Sequence, residues 1–268
     1  MLHIPRPNTP SSPIPDTLQT ILSHRLCRAF LPDPLRAGTL ETLLTAASSG
    51  STSSLYQTWS VVAIQDPKHK ASVAILAGNQ DFIRQAPLFL VFCPNLRRLH
   101  TLSTYYGQQP ARALDSMDMF IMSTVDATIA GQNVAIAAQG LGLGICYVAA
   151  IRNNAAEMCK LLNLPPLTWD VFGMAVGYPD LRDRKAGRRV KPRLPMRDIV
   201  YMERWAEEGE QMENVHSYDR ALGEFYVEEG KNGRMGWGEF VAAKVAPFEQ
   251  DGRERIRAVI EGQGFKLE

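Results

Sequence analysis

From Ala127 to Ile151 the chain carries no charged side chain. Either this run crosses a bilayer or it is buried inside the protein. Three amides, Gln132, Asn133 and Gln139, interrupt it, and Gly140, Gly142 and Gly144 break its second half. Amides and a glycine-rich break inside hydrocarbon would leave polar groups without partners, which speaks against a membrane span. The run therefore reads as a buried helix, a turn and a strand. The helix is expected from Asp115 to Gln139, with Met119, Phe120, Met122, Val125, Ile129, Val134 and Ile136 wrapping widely around it. A helix apolar over so much of its circumference must be covered on several sides, by the core or by a second subunit.

Shorter periodic segments surround it. Apolar spacing predicts helices at Asp16–Ser23, Thr39–Ala47, Lys68–Ala77, Gln80–Gln85 and Asn153–Leu162. Trp59–Ile64, Pro87–Cys93, Ile145–Ile151 and Val171–Gly177 read as strands, the second a continuous apolar run suited to full burial. Helices and strands mix without a regular βαβα rhythm, so the fold class is α+β. The first fifteen residues contain five prolines and read as a loose arm. Residues 16–202 and 239–268 form the expected core. Residues 203–238, rich in Glu, Gly and polar side chains, form an excursion with one helix near Tyr218–Glu228.

At 268 residues the chain has ample capacity for a packed core, and a net charge of +1 gives no global reason to bind nucleic acid or an acidic membrane. Cys27, Cys93, Cys146 and Cys159 lack C-x-x-C spacing, and no secretory signal opens the chain. Reduced thiols in a cytoplasmic protein are expected. His3, His24, His69, His100 and His216 are scattered, so no metal site is expected. Gly140-Leu-Gly-Leu-Gly144 has the wrong order for a dinucleotide fold, since a helix precedes it and a strand follows. It suits a helix C-terminus and tight turn. No G-x-x-x-x-G-K-[ST] loop and no G-x-S-x-G elbow is present.

Two basic clusters stand out. His24, Arg25 and Arg28 fall within five residues, and Arg offers a donor fork matched to phosphate oxygens. Eight cations lie between Arg182 and Arg197, including Lys191 and Arg193. No aromatic interleaves them, and Asp180, Asp183 and Asp198 offset part of the charge, so this run reads as a solvated loop whose last portion serves one phosphate.

Several segments then fall in a recognisable order. His24-Arg25-x-x-Arg28-x-Phe30 is followed by a serine loop ending Ser53-Ser54-Leu55-Tyr56-Gln57, then Gly78-Asn79-Gln80 and Asp126–Ala138. Gly140–Gly144, Tyr147, Arg152-Asn153-Asn154, Phe172-Gly173, Gly177-Tyr178-Pro179 and Lys191–Pro195 complete the series. Together, over roughly residues 16–240, they resemble the FMN-dependent nitroreductase superfamily, in its oxygen-insensitive NADPH nitroreductase and flavin reductase branch.

The resemblance implies an antiparallel sheet flanked by helices, with a C-terminal helical excursion, and a homodimer holding FMN at the subunit interface. It implies an NAD(P)H oxidoreductase that reduces nitroaromatics, quinones or flavins by ping-pong two-electron hydride transfer. The small aromatic acceptor would stack on the flavin. By this resemblance His24, Arg25 and Arg28 would hold the FMN phosphate, with Lys191 and Arg193, and Leu26 and Cys27 between them would also belong to the cofactor site. Thr52 and Ser53 would meet the ribityl chain, Gln80 the ring, and Tyr147, Val148, Ala149 and Ala150 would line it. No catalytic side chain is required, because FMN carries the chemistry.

The sequence also departs from the family. Leu26 stands where a serine is common, Cys27 where an aliphatic residue is usual, and Ala149-Ala150 where two glycines are frequent. Arg234 matches one arginine that close relatives direct at the NADPH 2′-phosphate, whereas Glu229 replaces another, leaving NADH open as the donor. An arginine near the substrate is lost around Ala246. Two alternatives stay open: a binding module that contacts nucleic acid or an acidic partner through Arg182–Arg197, and, within the resemblance, a flavoprotein that stores or senses flavin without reductase turnover.

Overall fold

Every residue of β2, Leu88–Pro94, is buried. Such a strand must lie inside a sheet covered on both faces. β1 (Trp59–Ile64) pairs antiparallel along one side of it, and β4 (Phe172–Gly177) along the other. β3 (Gly144–Val148) pairs antiparallel with β4, giving the order β1-β2-β4-β3. The structure is a computed structural model that describes residues 15–109, 111–187, 189–205, 211–231, 233–246 and 251–268. Most of the proline-rich arm, Arg188 and parts of the 203–238 excursion lie outside the described residues.

Period-two alternation sorts the strand residues into two cores. Leu88, Leu90, Phe92, Ile145, Met174 and Val176 face one layer, with α2 (Thr39–Ser48), α6 (Met117–Gly140) and α10 (Ile256–Gly262). Phe89, Val91, Cys93, Cys146, Val148 and Ala175 face the opposite layer, with α3 (Pro67–Leu76), α4 (Asp81–Gln85) and α7 (Ala155–Leu161). The result is the expected α+β arrangement, an antiparallel sheet between helices.

α6 contains the first part of the charge-free run, Ala127–Gly140. Ser116 caps it, its hydroxyl accepting from the Met119 N–H at 3.3 Å. Ala127, Ala130, Gly131, Val134, Ala135 and Ala138 are buried, so small side chains let the helix press on the sheet. At Gly131 the fit is tight: a Cβ there would lie 2.6 Å from Phe172. The helix ends at a left-handed Gly142, φ +75°. The Leu143 N–H returns to the Ala138 carbonyl at 2.9 Å and the Gly142 N–H to that of Gln139 at 3.0 Å, the paired closure of a glycine-terminated helix.

Two readings change at their edges. The third strand, expected to reach Ile151, stops at Val148, and Ala149–Asn154 forms a 3₁₀ turn. Alanine is a poor strand former, which fits a stop at Ala149-Ala150. A helix at Arg97–Tyr105 (α5) went unexpected: none of its residues is fully buried, and its apolar stripe is short, Leu99 packing against the core and Leu102 one turn later being exposed.

The chain divides into two compact units, Leu26–Arg188 with Glu249–Glu268, and Met1–Arg25 with Arg189–Phe248. The first holds the sheet. The second holds α1 (Asp16–Leu22), α8 (Gln211–Glu228) and α9 (Trp237–Val245). Inside it the Asp219 carboxylate accepts from the Gly238 N–H at 3.1 Å, and Tyr218 meets Trp237 edge to face at 5.4 Å.

Candidate functional site

The outer edge of β3 holds part of the sequence-predicted set, Leu26–Arg28 beside Tyr147 and Val148, whereas Thr52 and Ser53 lie in the loop that leads into β1 at the opposite edge of the sheet. At the β3 edge the Cys27 N–H donates to the Ile145 carbonyl at 3.0 Å. The segment lies so close that a Cβ on Gly144 would sit 2.7 Å from the Cys27 sulfur. Glycine at that strand position is thus what lets Leu26–Arg28 dock. Cys27 is buried, and its thiol donates to the Ala29 carbonyl at 3.1 Å. The next residue reverses outward. Arg28 is exposed, its N–H fixed to the Lys185 carbonyl at 2.7 Å.

The Arg28 guanidinium lies between two elements. It stands 5.8 Å from the centre of the Phe82 ring in α4 and near enough to the Cys146 thiol of β3 to act on it, while that thiol donates to the Tyr147 carbonyl at 3.5 Å. Burial pushes the Cys146 thiol up, against the pull of Arg28, so it stays protonated. Gln80 immediately precedes α4. Gly78 and Asn79, both left-handed, turn the chain there, and the Gln80 side-chain N–H donates to the Ala77 carbonyl at 2.8 Å. That bond fixes the amide and leaves its oxygen as an acceptor.

Tyr147 points to the other face of β3. Its hydroxyl donates to Gln132 of α6 at 3.1 Å, and burial pushes the phenol up to about 12, keeping it neutral. Six residues earlier on α6 lies Asp126, 1% exposed. It accepts from the Ser53 N–H at 3.1 Å, the Thr58 N–H at 3.0 Å and the Thr58 hydroxyl at 2.8 Å. Between those grips Ser54, Leu55 and Gln57 all have left-handed backbones, φ 48°, 57° and 51°. Each costs roughly 1–2 kcal/mol for a residue with a Cβ. Ser53 is exposed and Thr52 half-buried. Past Val148 the Ala149-Ala150 turn is partly open to solvent.

His24, Arg25, Lys191, Arg193 and Arg234 belong to the other unit. Within it the Tyr218 hydroxyl donates to the Pro192 carbonyl at 3.2 Å, tying the Lys191–Arg193 segment to α8, and Arg193 lies close enough to Tyr218 to act on its phenol. Arg234 is exposed, its guanidinium 4.7 Å from the centre of the Tyr226 ring. Arg189 stacks on Phe225 and pairs with Glu228. In the sheet unit Arg182 pairs with Asp180 at 2.8 Å. Part of the basic run is therefore already matched by carboxylates.

Sequence reasoning missed two functional links, Asp126 to the serine loop and Gln132 to Tyr147. A signal existed for the first. Asp126 is the acid at the border of the charge-free stretch of α6, and a buried acid needs partners.

Comparison with known proteins gives the family. The Nitroreductase family model matches residues 21–178, and the model of its C-terminal domain matches residues 191–268. The chain belongs to the nitroreductase family. It is 35% identical over 214 residues to the FMN reductase (NADPH) of Bacillus subtilis, covering 80% of this chain and 84% of that one. It is 32% identical over 232 residues to the NADPH-flavin oxidoreductase of Vibrio harveyi, covering 86% and 91%. The solved NfrA1 nitroreductase of B. subtilis superposes with a TM-score of 0.86 at 31% identity, covering 94% of this chain and 99% of that one. Among the described residues no helix is long and apolar enough to cross a membrane.

Proposed function

We propose that this chain is an NAD(P)H-dependent FMN oxidoreductase that reduces nitroaromatics, quinones or flavins. Within the family, the observation that carries the reading is Arg28: an exposed residue held by its backbone at the outer edge of β3, its guanidinium 5.8 Å from the Phe82 ring of α4, the helix that Gln80 precedes. The donor set suits FMN. A guanidinium fork takes a phosphate. Ser53 and Thr52 bring hydroxyls for a polyol, and Gln80 presents an amide oxygen to a ring N–H. Ala149 and Ala150, with minimal side chains, leave backbone able to approach a flat ring.

FMN, when bound, supplies the hydride exchange between nicotinamide and acceptor. The chain's own work is to hold, orient and cover. Arg28 holds the phosphate, and the Ser53 loop and Gln80 fix the orientation. Tyr147, locked to Gln132, walls one side as a neutral group. His24, Arg25, Lys191 and Arg193 are assigned to the phosphate by resemblance alone. Residues 16–202 and 239–268 are assigned to FMN, and the 203–238 excursion, with Arg234, to the nicotinamide donor.

The reading includes a cytoplasmic homodimer. Ile121 and Val125, one turn apart on α6, are about half exposed, and Leu55 is 83% exposed. Apolar groups left open in this way suit a second copy of the chain.

Two measurements test the reading. FMN titrated into the purified protein should be bound, and Arg28→Ala should weaken it at least about tenfold, the loss of one charge-assisted contact. No uptake by the wild type sinks the function, and unchanged affinity in Arg28→Ala sinks the phosphate assignment. Glu229→Arg should move donor preference toward NADPH. The same NADH/NADPH selectivity in both forms would show that residue 229 does not reach the nucleotide.

A further inference from the structure

We infer that Asp126 is a positioning residue: from inside α6 it sets the shape of the Thr52–Thr58 loop, and through that shape the groups that meet the flavin. The inference rests on the flavin reading above. Its first support is how the carboxyl is used. It is 1% exposed, yet both oxygens are engaged, Oδ1 by the Ser53 N–H and Oδ2 by the Thr58 N–H and hydroxyl. A buried carboxyl is tolerated only when so satisfied, and these three bonds all come from one loop.

The second support is where the bonds fall. They hold both ends of a turn whose interior, Ser54, Leu55 and Gln57, lies in the left-handed region. Residues with a Cβ leave that region unless something holds them there. On the far side the loop has further ties: the Asn95 N–H donates to the Thr58 carbonyl at 2.9 Å, and Arg98 donates to the Gln57 carbonyl. On the Ser53 side the grip is Asp126. Ser53 is therefore the candidate flavin contact whose position depends most directly on this carboxyl.

The third support is chemical. A carboxyl group in this place accepts at both oxygens, whereas an amide accepts at one and donates at the other. Asp126→Asn keeps the size but turns an N–H toward a backbone N–H. One end of the turn is then released while α6 keeps its packing.

The test compares wild type, Asp126→Asn and Val73→Ala, a truncation in the buried part of α3 that serves as a control for general loosening. Two quantities are read: hydrogen exchange at the Ser53 and Thr58 amides without flavin, and the Kd for FMN. Asp126→Asn should speed exchange at one or both amides and raise the Kd by about tenfold. Val73→Ala should leave both amides slow and the Kd within about twofold, whatever its loss of Tm.

Equal FMN affinity in Asp126→Asn and wild type overturns the inference, as does an equal rise in Val73→Ala. A wild type that takes up no FMN overturns the flavin reading and the inference with it, a result distinct from either. Should Asp126→Asn fail to fold, Thr58→Val removes one of the three bonds and should raise the Kd about two- to threefold. No change there overturns the inference.

Discussion

Two aspartates are buried in the sheet unit, and they are served differently. Asp126 is 1% exposed and has three donors spread over both oxygens. Asp170 is 0% exposed and accepts from the Cys159 thiol at 3.1 Å through Oδ1, while its Oδ2 has no partner among the described residues. Two neighbours share that condition, for Thr168 Oγ1 and Trp169 Nε1 are also buried without partners. Burial pushes Asp170 up to about 7, with the Cys159 bond and the Arg152 charge pulling against it. At one site a side chain organises a loop. At the other, three successive side chains each bury one polar atom that has no partner among the described residues. Equal burial thus says little, and the donors that arrive decide the role.

The largest contrast should come from truncation. Asp126→Ala strips two backbone N–H groups and a hydroxyl of their acceptor. We expect a loss of about 3 kcal/mol, or roughly 10 °C of Tm, measured by thermal unfolding. A loss below about 1 kcal/mol would show that the loop finds other acceptors, and the contrast between the two acids would collapse.

The second contrast is in pH. Unfolded, Asp170 titrates near the usual 3.8; folded, it titrates near 7. Across that window the folded chain holds a proton that the unfolded chain has released, so stability falls as pH rises. The contribution is fully present below about pH 4 and lost through about pH 7, on the order of 2 kcal/mol between pH 5 and pH 8. Asp170→Asn should remove that slope, so its Tm gains on the wild type as the solution becomes alkaline. Parallel Tm–pH curves for the two proteins would mean that Asp170 titrates normally. The Cys159 thiol, pushed up to about 12, stays protonated throughout and does not blur the reading.

These differences mark the limit of what the sequence disclosed. The sheet was legible because its strands obey local rules. β2 is apolar at nearly every position, and Gly142 stops α6 where a left-handed residue is required. The basic motif was legible as a motif, and Arg28 does stand exposed at the edge of β3. Asp126 was visible only as one letter of a pattern. Its partner Ser53 is 73 residues away, and no local period links the two. α5 escaped for another reason, since a helix with one leucine against the core and one in solvent writes only a short stripe. Local geometry leaves its mark on neighbouring residues. A long-range hydrogen bond leaves none in a single chain.

The finest contrast uses one substitution twice. Thr58→Val deletes a hydroxyl that donates to Asp126 at 2.8 Å, while both backbone bonds of residue 58 survive. Thr168→Val deletes a buried hydroxyl with no partner among the described residues, and the Thr168 carbonyl keeps its bond from Gln263 at 2.7 Å. The side chains exchanged are the same and both sites are buried, so the transfer contribution nearly cancels between them. What remains is the bond. We expect Thr58→Val to lose about 1 kcal/mol and Thr168→Val to be neutral or slightly stabilising, read from denaturant midpoints at constant m. A loss at Thr168 equal to that at Thr58 would require a water molecule to accept or donate there. The segment would then be a hydrated pocket beside Asp170, and the dry contrast between the two acids would no longer hold.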